Sequence, residues 1–271
     1  MTLLVGADPE LFITKDGKPV SAHGVVTGTK THPFAVPQGA VQVDGMALEF
    51  NIDPSPTQME FVYNIHEVMK HLRDMVPKDF DFSFESVAYF DKRYIEKQPE
   101  EAQALGCDPD YDAYTEEVNT SPDASVGFRT AAGHIHLGWK SPEEEDDNHF
   151  FKAVAITKQL DYMLGLPSLI LDRDGLTRRS LYGKAGAFRP KPYGAEYRVL
   201  SNFWLHNEAL MSWVFTQTKK AFTLISEEGV NYAKDFGKTA RNLINCDAVV
   251  EAEAFMLAEM PESYAALEDL R

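Results

Sequence analysis

The chain is poor in cysteine: Cys107 and Cys246 are the only two in 271 residues. That rules out a disulfide framework and a cysteine-type metal site, and it suits a reducing compartment. No run approaches the ~20 apolar residues needed to cross a bilayer. The opening Met1-Thr2-Leu3-Leu4-Val5-Gly6-Ala7-Asp8 has neither the basic start nor the apolar stretch of a secretory leader. A cytoplasmic protein away from membranes is the expectation. Basic residues are also scarce, 26 Lys and Arg against 42 Asp and Glu, for a formal net charge of -16. An extended nucleic-acid surface needs the opposite balance, so none is expected. Neither Gly-x-x-x-x-Gly-Lys-Ser/Thr nor Gly-x-Gly-x-x-Gly follows a strand, which excludes the common P-loop and dinucleotide-binding solutions. Repeats, low-complexity tracts and Pro/Ser-rich linkers are absent too. One domain spanning 1–271 is expected, with a variable insertion or loop region near 91–126.

What is present suffices for a full core, with 44% hydrophobic and 25% charged residues. Periodicity predicts a strand over 3–14 turning at Lys15-Asp16-Gly17-Lys18, and a loop over 24–40. A second strand is expected over 41–52, interrupted at Asp44-Gly45 by a tight turn or a bulge. Phe61, Ile65, Val68 and Leu72 recur at helical spacing in a helix from about 57 to 75. Strands are expected over 80–90, 128–139 and 196–202, and helices over 96–105, 141–164, 207–226, 233–245 and 247–259. The stretch 172–195 reads as a loop. Strands joined by hairpins or single helices, without a steady βαβ rhythm, predict an α+β fold with a mainly antiparallel, curved sheet and helices on one face.

Four segments carry polar groups where strands would otherwise be apolar. Asp8 and Glu10, two apart, share a strand face, and paired carboxylates call for a cation or an exposed surface. Glu49 and Asn51 share a face among apolar neighbours; Asp44 falls on the opposite face of a regular strand and reaches them only through a turn at Gly45. His134 and His136 alternate in the manner of metal or phosphate contacts, or of satisfied core histidines, with Arg129 upstream as an added cation. Glu196 and Arg198 share a strand face. The preceding loop gathers Arg178, Arg179, Lys184, Arg189 and Lys191, a basic cluster that suits anionic phosphates or a carboxylate, or simply a solvated loop. Carboxylates, imidazoles and guanidiniums on separate strands fit phosphoryl transfer assisted by divalent metals.

GADPELF, VQVDGMALEFN, LGCDPDYDAYT, FRTAAGHIHLGW and YGKAGAFRPKPYGAEYRVLSN, in that order, resemble the phage-type amidoligases. These are carboxylate–amine ligases of the glutamine synthetase and glutamate–cysteine ligase superfamily. The resemblance implies a glutamine-synthetase-like catalytic fold, ATP, and two or three Mg²⁺ or Mn²⁺ ions. Asp8 and Glu10 would form the first carboxylate strand, Asp44 and Glu49 the second acidic pair, and His134 or His136 with Glu196 the nucleotide-side metal site. Arg189, Arg198 and Glu49 would serve the chemistry, and Arg129, Arg178, Arg179, Lys184 and Lys191 would contact the cofactor. Asp8 stands where glutamine synthetase usually has Glu. The implied reaction joins a carboxylate-bearing to an amine-bearing substrate, a peptide or protein among the candidates, in the host cytoplasm if the protein is phage-encoded. Two rival readings follow from the residues alone. One is a metal-dependent hydrolase or oxygenase built on His134, His136 and a carboxylate; the other is a non-catalytic binding protein on the same scaffold.

Overall fold

The computed structural model describes residues 2–103, 110–120, 126–172 and 175–271. Cys107, the last residues of the helix expected over 96–105 and parts of the acidic loop lie outside them. The strands are β1 Leu4–Lys15, β2 Lys18–Val20, β3 Phe34–Val36, β4 Gly39–Asp44, β5 Ala47–Ile52, β6 Asp81–Ser83, β7 Val87–Tyr89, β8 Tyr111–Asp112, β9 Glu117–Val118, β10 Phe128–Thr130, β11 Gly133–Gly138, β12 Ala187–Lys191 and β13 Gly194–Tyr197. The helices are α1 Gln58–Met75, α2 Lys92–Glu96, α3 Glu100–Gln103, α4 His149–Leu160, α5 Leu166–Leu171, α6 Gly175–Leu181, α7 Glu208–Ser226, α8 Ala233–Cys246, α9 Val249–Glu259 and α10 Pro261–Glu268. A π-helical turn, Asp161–Gly165, joins α4 to α5, and a 3₁₀ turn, Asn202–His206, precedes α7.

Eleven strands form one sheet in the order β3-β4-β5-β1-β11-β13-β12-β8-β9, with β2 and β6 also pairing on β1. The strand pairings are antiparallel. β7 and β10 make a separate two-stranded ribbon. The α+β fold expected from the sequence is therefore the observed one. Period-two alternation gives the sheet two unlike faces. Val5, Ala7 and Leu11 of β1, Leu48 and Phe50 of β5, Ile135 and Leu137 of β11, and Tyr197 of β13 are buried in the main core. Helices α1, α4 and α7 cover that side, meeting β4 and β5, β12 and β13, and β1 respectively. Burying each such large side chain stabilises the fold by roughly 1.5–3 kcal/mol. A smaller core of Phe12, Met46, Ala88, Phe90, Ile95 and Ala131 forms around the ribbon and α2.

Helix α1 begins where expected, with Thr57 Oγ1 accepting the Glu60 N–H, and it buries Phe61, Ile65, Val68 and Leu72. The strand expected over 80–90 is instead two. β6 stays on β1, and the chain then crosses to the ribbon, where Ser86 O accepts the Ala131 N–H. The strand expected over 128–139 breaks at Ala131-Ala132 for the same reason, because these residues bond across to Ser86 and Glu10. The helix expected from 141 starts only at His149. Residues 141–144 form a turn in which Ser141 O accepts the Glu144 N–H, and the Lys140 ammonium caps the Glu144 carbonyl. The supposed loops hold regular structure as well: β3 and the start of β4 within 24–40, and α6 and β12 within 172–195. Gly133 allows a close approach that no other residue would. A Cβ there would lie 2.2 Å from Ser201 O and 2.4 Å from Trp204 Nε1.

Candidate active site

Alternation along each strand and register between strands decide which polar groups meet. Asp8 and Glu10 point away from the helices. Pairing then sets His134 opposite Asp8, His136 opposite Gly6 and Glu196, Arg189 opposite Glu196, and Glu49 opposite both Glu10 and Gln42. Asp44 joins them through a turn: it pairs with Ala47, and the loop residues are Gly45 and Met46. Gly45 sits at φ +59°, the positive value required at the first position of a two-residue hairpin turn of this kind. The reversal brings Asp44 onto the face of Glu49. Seven sequence-expected metal residues thus stand on one polar sheet face.

They fall into two groups. Asp8, His136 and Glu196 each present a ligand atom with all three within 4.8 Å of one another, and Glu10, Asp44 and Glu49 do the same. His134 lies between Asp8 and Glu196, its Nδ1 3.5 Å from Asp8 Oδ1 and 3.4 Å from Glu196 Oε1. His136 Nε2 is 3.0 Å from Asp8 Oδ1, while its Nδ1 meets the Tyr193 hydroxyl at 2.6 Å. Asp8 Oδ1, His134 Nε2 and His136 Nε2 are buried and none is aligned in a hydrogen bond, although His136 Nε2 and Asp8 Oδ1 stand only 3.0 Å apart. Such convergence of unaligned donor atoms fits the coordination shell of a divalent cation, and the carboxylate-only group suits a hard ion such as Mg²⁺ or Mn²⁺.

The electrostatics of the acid groups point the same way. Burial, and then the Asp44 charge, push Glu10 up to about 7, against the Ala132 N–H and Arg178. Burial also lifts Glu49 well above the usual range, with Asp8, Asp44 and Glu10 adding to the rise. Asp44 is raised by burial against the opposing Lys30 ammonium, 3.2 Å from Oδ2. Glu196 is raised by burial and by Asp8. For Asp8 burial works upward, but the two imidazoles prevail and hold it well below the usual carboxylate value. His136 is raised, since Asp8 outweighs its burial, whereas burial and Arg198 depress His134 to about 3. Three mutually repelling carboxylates beside one ammonium are a site short of positive charge.

The basic residues divide sharply. Arg189 Nη1 and Lys191 Nζ reach Glu196 Oε2 at 3.2 and 2.8 Å, and Arg198 Nη1 contacts Glu196 Oε1. Those three face the acidic groups. Arg129 does not act as an anion contact here, since its guanidinium donates to the carbonyls of Val126, Phe128 and Gln103. Arg178 is buried and donates to Val199 O and Leu200 O at 2.7 and 2.8 Å, clamping the segment after β13. Arg179 is tied to Asp247 at 2.6 Å. Lys184 is exposed. A basic loop in sequence is therefore half scaffold. Sequence reasoning missed Tyr193, the partner of His136, and Asp110, whose Oδ2 accepts the Arg198 Nε–H at 3.1 Å. Asp110 is 88 positions from Arg198, so no local pattern could have paired them.

A pocket of about 560 Å³ opens beside the first group, at the Leu4 end of β1. Asp8, Glu49, His136 and Tyr193 line its inner part, and Leu4, Ile52, Pro54 and Pro142 give it apolar walls.

Residues 125–235 match the model of a family described as phage phiEco32-like COOH.NH2 ligase-type 2. The resemblance to carboxylate–amine ligases stands. The matched span holds His134, His136, Arg189, Glu196 and Arg198; the β-pairing above joins to them the carboxylates of β1, β4 and β5. A solved bifunctional glutathione synthetase from Pasteurella multocida shares the fold, with a TM-score of 0.55 and 12% identity over 98% of this chain and 45% of that one. The chain thus spans less than half the length of that structure. Similarity to the structure of a novel glutamine synthase homolog is weaker, with a TM-score of 0.35 and 10% identity over 98% of this chain and 70% of that one. No curated protein matches the chain.

Proposed function

We propose that the protein is an ATP-dependent carboxylate–amine ligase that works through an acyl phosphate. The observation that carries this reading is the adjacency, on one sheet face, of two ligand groups, Asp8/His136/Glu196 and Glu10/Asp44/Glu49, with Arg189, Lys191 and Arg198 closing one side. Divalent cations bound there would neutralise phosphate oxygens and help align the γ-phosphate with the acceptor carboxylate. The adjoining pocket, with apolar walls and the Tyr193 ring, suits the base and ribose of the nucleotide.

In the first step a substrate carboxylate oxygen attacks the γ-phosphorus. The new O–P bond forms as the bond to the β-phosphate oxygen breaks, and ADP leaves. The amine nitrogen then attacks the acyl carbon, the C–N bond forms, the C–O bond to phosphate breaks, and the nitrogen gives up a proton. Arg189, Lys191 and Arg198 take up charge as it moves onto phosphate oxygens, a role for which guanidinium forks are suited. Tyr193 engages His136 Nδ1, which leaves Nε2 aimed at Asp8.

The hydrolase or oxygenase reading has less support. Among the described residues each convergent group holds at most one histidine, whereas a facial triad uses two with one carboxylate. The test is a structure with Mn²⁺ and a non-hydrolysable ATP analogue. Manganese in both groups with the γ-phosphate between them is the expected result; a nucleotide bound elsewhere would sink the ligase reading.

A further inference from the structure

Asp110 belongs to neither ligand group, yet it is buried, 6% exposed. Its Oδ2 accepts the Arg198 Nε–H at 3.1 Å. Its Oδ1 accepts from Asn119 Nδ2 at 2.9 Å, and its carbonyl accepts the Asn119 N–H at 2.8 Å. Arg198 is thereby held on two edges, Nε by Asp110 and Nη1 by Glu196, with the Tyr182 ring 5.3 Å from its guanidinium carbon. The two carboxylates are not equivalent. Glu196 is one of the groups that would turn to a cation; Asp110 is not, so its grip on Arg198 persists whatever occupies the site. The strand pair that begins one residue after Asp110, β8 with β9, is itself fastened down. β8 pairs with β12, Ala113 N–H donates to Gly186 O, and Asp112 binds Arg241 at 2.6 Å.

We propose that Asp110 is a positioning residue, whose carboxylate sets the guanidinium plane of Arg198 for phosphate. It acts through Arg198, and the proposal rests on the ligase reading. A guanidinium held at one nitrogen pivots about its Cδ–Nε bond; the charge-assisted bond at Nε stops that pivot. The described stretch 110–119 would in this way supply a part of the phosphate-transfer machinery.

The experiment compares wild type, Asp110→Asn, Asp110→Glu, Arg198→Lys and the double variant Asp110→Asn/Arg198→Lys. It measures kcat and KM for ATP alongside the Nε–H signal of Arg198 in ¹⁵N-labelled protein, assigned by its loss in Arg198→Lys. Asp110→Asn is expected to lower kcat about 10-fold with KM for ATP within about 3-fold, Asp110→Glu to recover part of the loss, and Asp110→Asn to cost less than about 2-fold once Arg198 is already Lys. The Nε–H signal should shift and exchange faster in Asp110→Asn. An unchanged signal, or costs that multiply in the double variant, overturns the proposal. Absence of ATP turnover in the wild type would instead defeat the ligase reading, and the Nε–H signal would still decide whether Asp110 holds Arg198.

Discussion

In metal-free protein the acidic group of Glu10, Asp44 and Glu49 should cost stability as pH rises, and Glu10→Gln should remove a calculable part of that cost. Folded Glu10 titrates at about 7 against an ordinary 4.5, so the folded chain holds a proton that the unfolded chain has released. The stability it contributes is fully present below the unfolded value and is lost as pH climbs through 7. Between pH 6.5 and 8 the excess averages about 0.4 of a proton over 1.5 pH units, worth about 0.8 kcal/mol. That is a melting shift of about 2–3 °C for a chain of this size. His134, depressed to about 3, works in the opposite sense near pH 6.5, because its unfolded form still binds protons there; it contributes equally to both proteins and cancels in the comparison. Gln at this position keeps an oxygen for the Ala132 N–H, which Glu10 Oε2 now accepts at 2.9 Å. The assay is urea unfolding of chelator-treated wild type and Glu10→Gln at pH 6.5 and 8. Wild type should lose about 0.8 kcal/mol more than the variant over that interval. Adding Mn²⁺ at about 100 times its Kd should restore about 2.7 kcal/mol to wild type at pH 8 and clearly less to the variant. Parallel pH curves would refute the account of Glu10, and equal stabilisation by Mn²⁺ would refute its part in holding a cation.

Glu49→Gln should cut ADP formation by ~10²-fold or more while Mn²⁺ stoichiometry, read by electron paramagnetic resonance, falls by one. Tyr193→Phe leaves His136 Nδ1 without its hydroxyl partner and should weaken Mn²⁺ at the histidine-bearing group by ~10-fold with little change in melting temperature; unchanged affinity would show that the hydroxyl does not orient the ring. Gly133→Ala drives a methyl to 2.2 Å from Ser201 O and should destabilise the fold by about 3 kcal/mol or more in chemical denaturation.

The shared face of Asp8 and Glu10 could be read from the sequence because a strand's period of two needs no tertiary information; the strand expected over 196–202 instead runs Gly194–Tyr197, and Arg198 meets Glu196 from just beyond its end. The buried row on α1 was equally open to view. Asp44 was half readable: Gly45 announced a turn or a bulge, and only the pairing of Asp44 with Ala47 chose between them. The basic cluster misled for a physical reason. An arginine that grips main-chain carbonyls, as Arg129 and Arg178 do, has the same sequence signature as one that awaits a phosphate. The strand breaks over 84–86 and at Ala131-Ala132 were hidden because they come from a change of hydrogen-bond partner across the sheet, which no local pattern records.

The hairpin that swings Asp44 back over Glu49 makes spacing here as important as chemistry. One residue added to or removed from the tip would reverse the parity of one arm, turning Leu48, Phe50 and Ile52 outward and sending Glu49 beneath the helices. Variation tolerated in this stretch should therefore change letters and keep count, and the segment that runs up to Phe34 shares the constraint, since its Lys30 reaches Asp44 and its Gly28 carbonyl accepts the Val43 N–H.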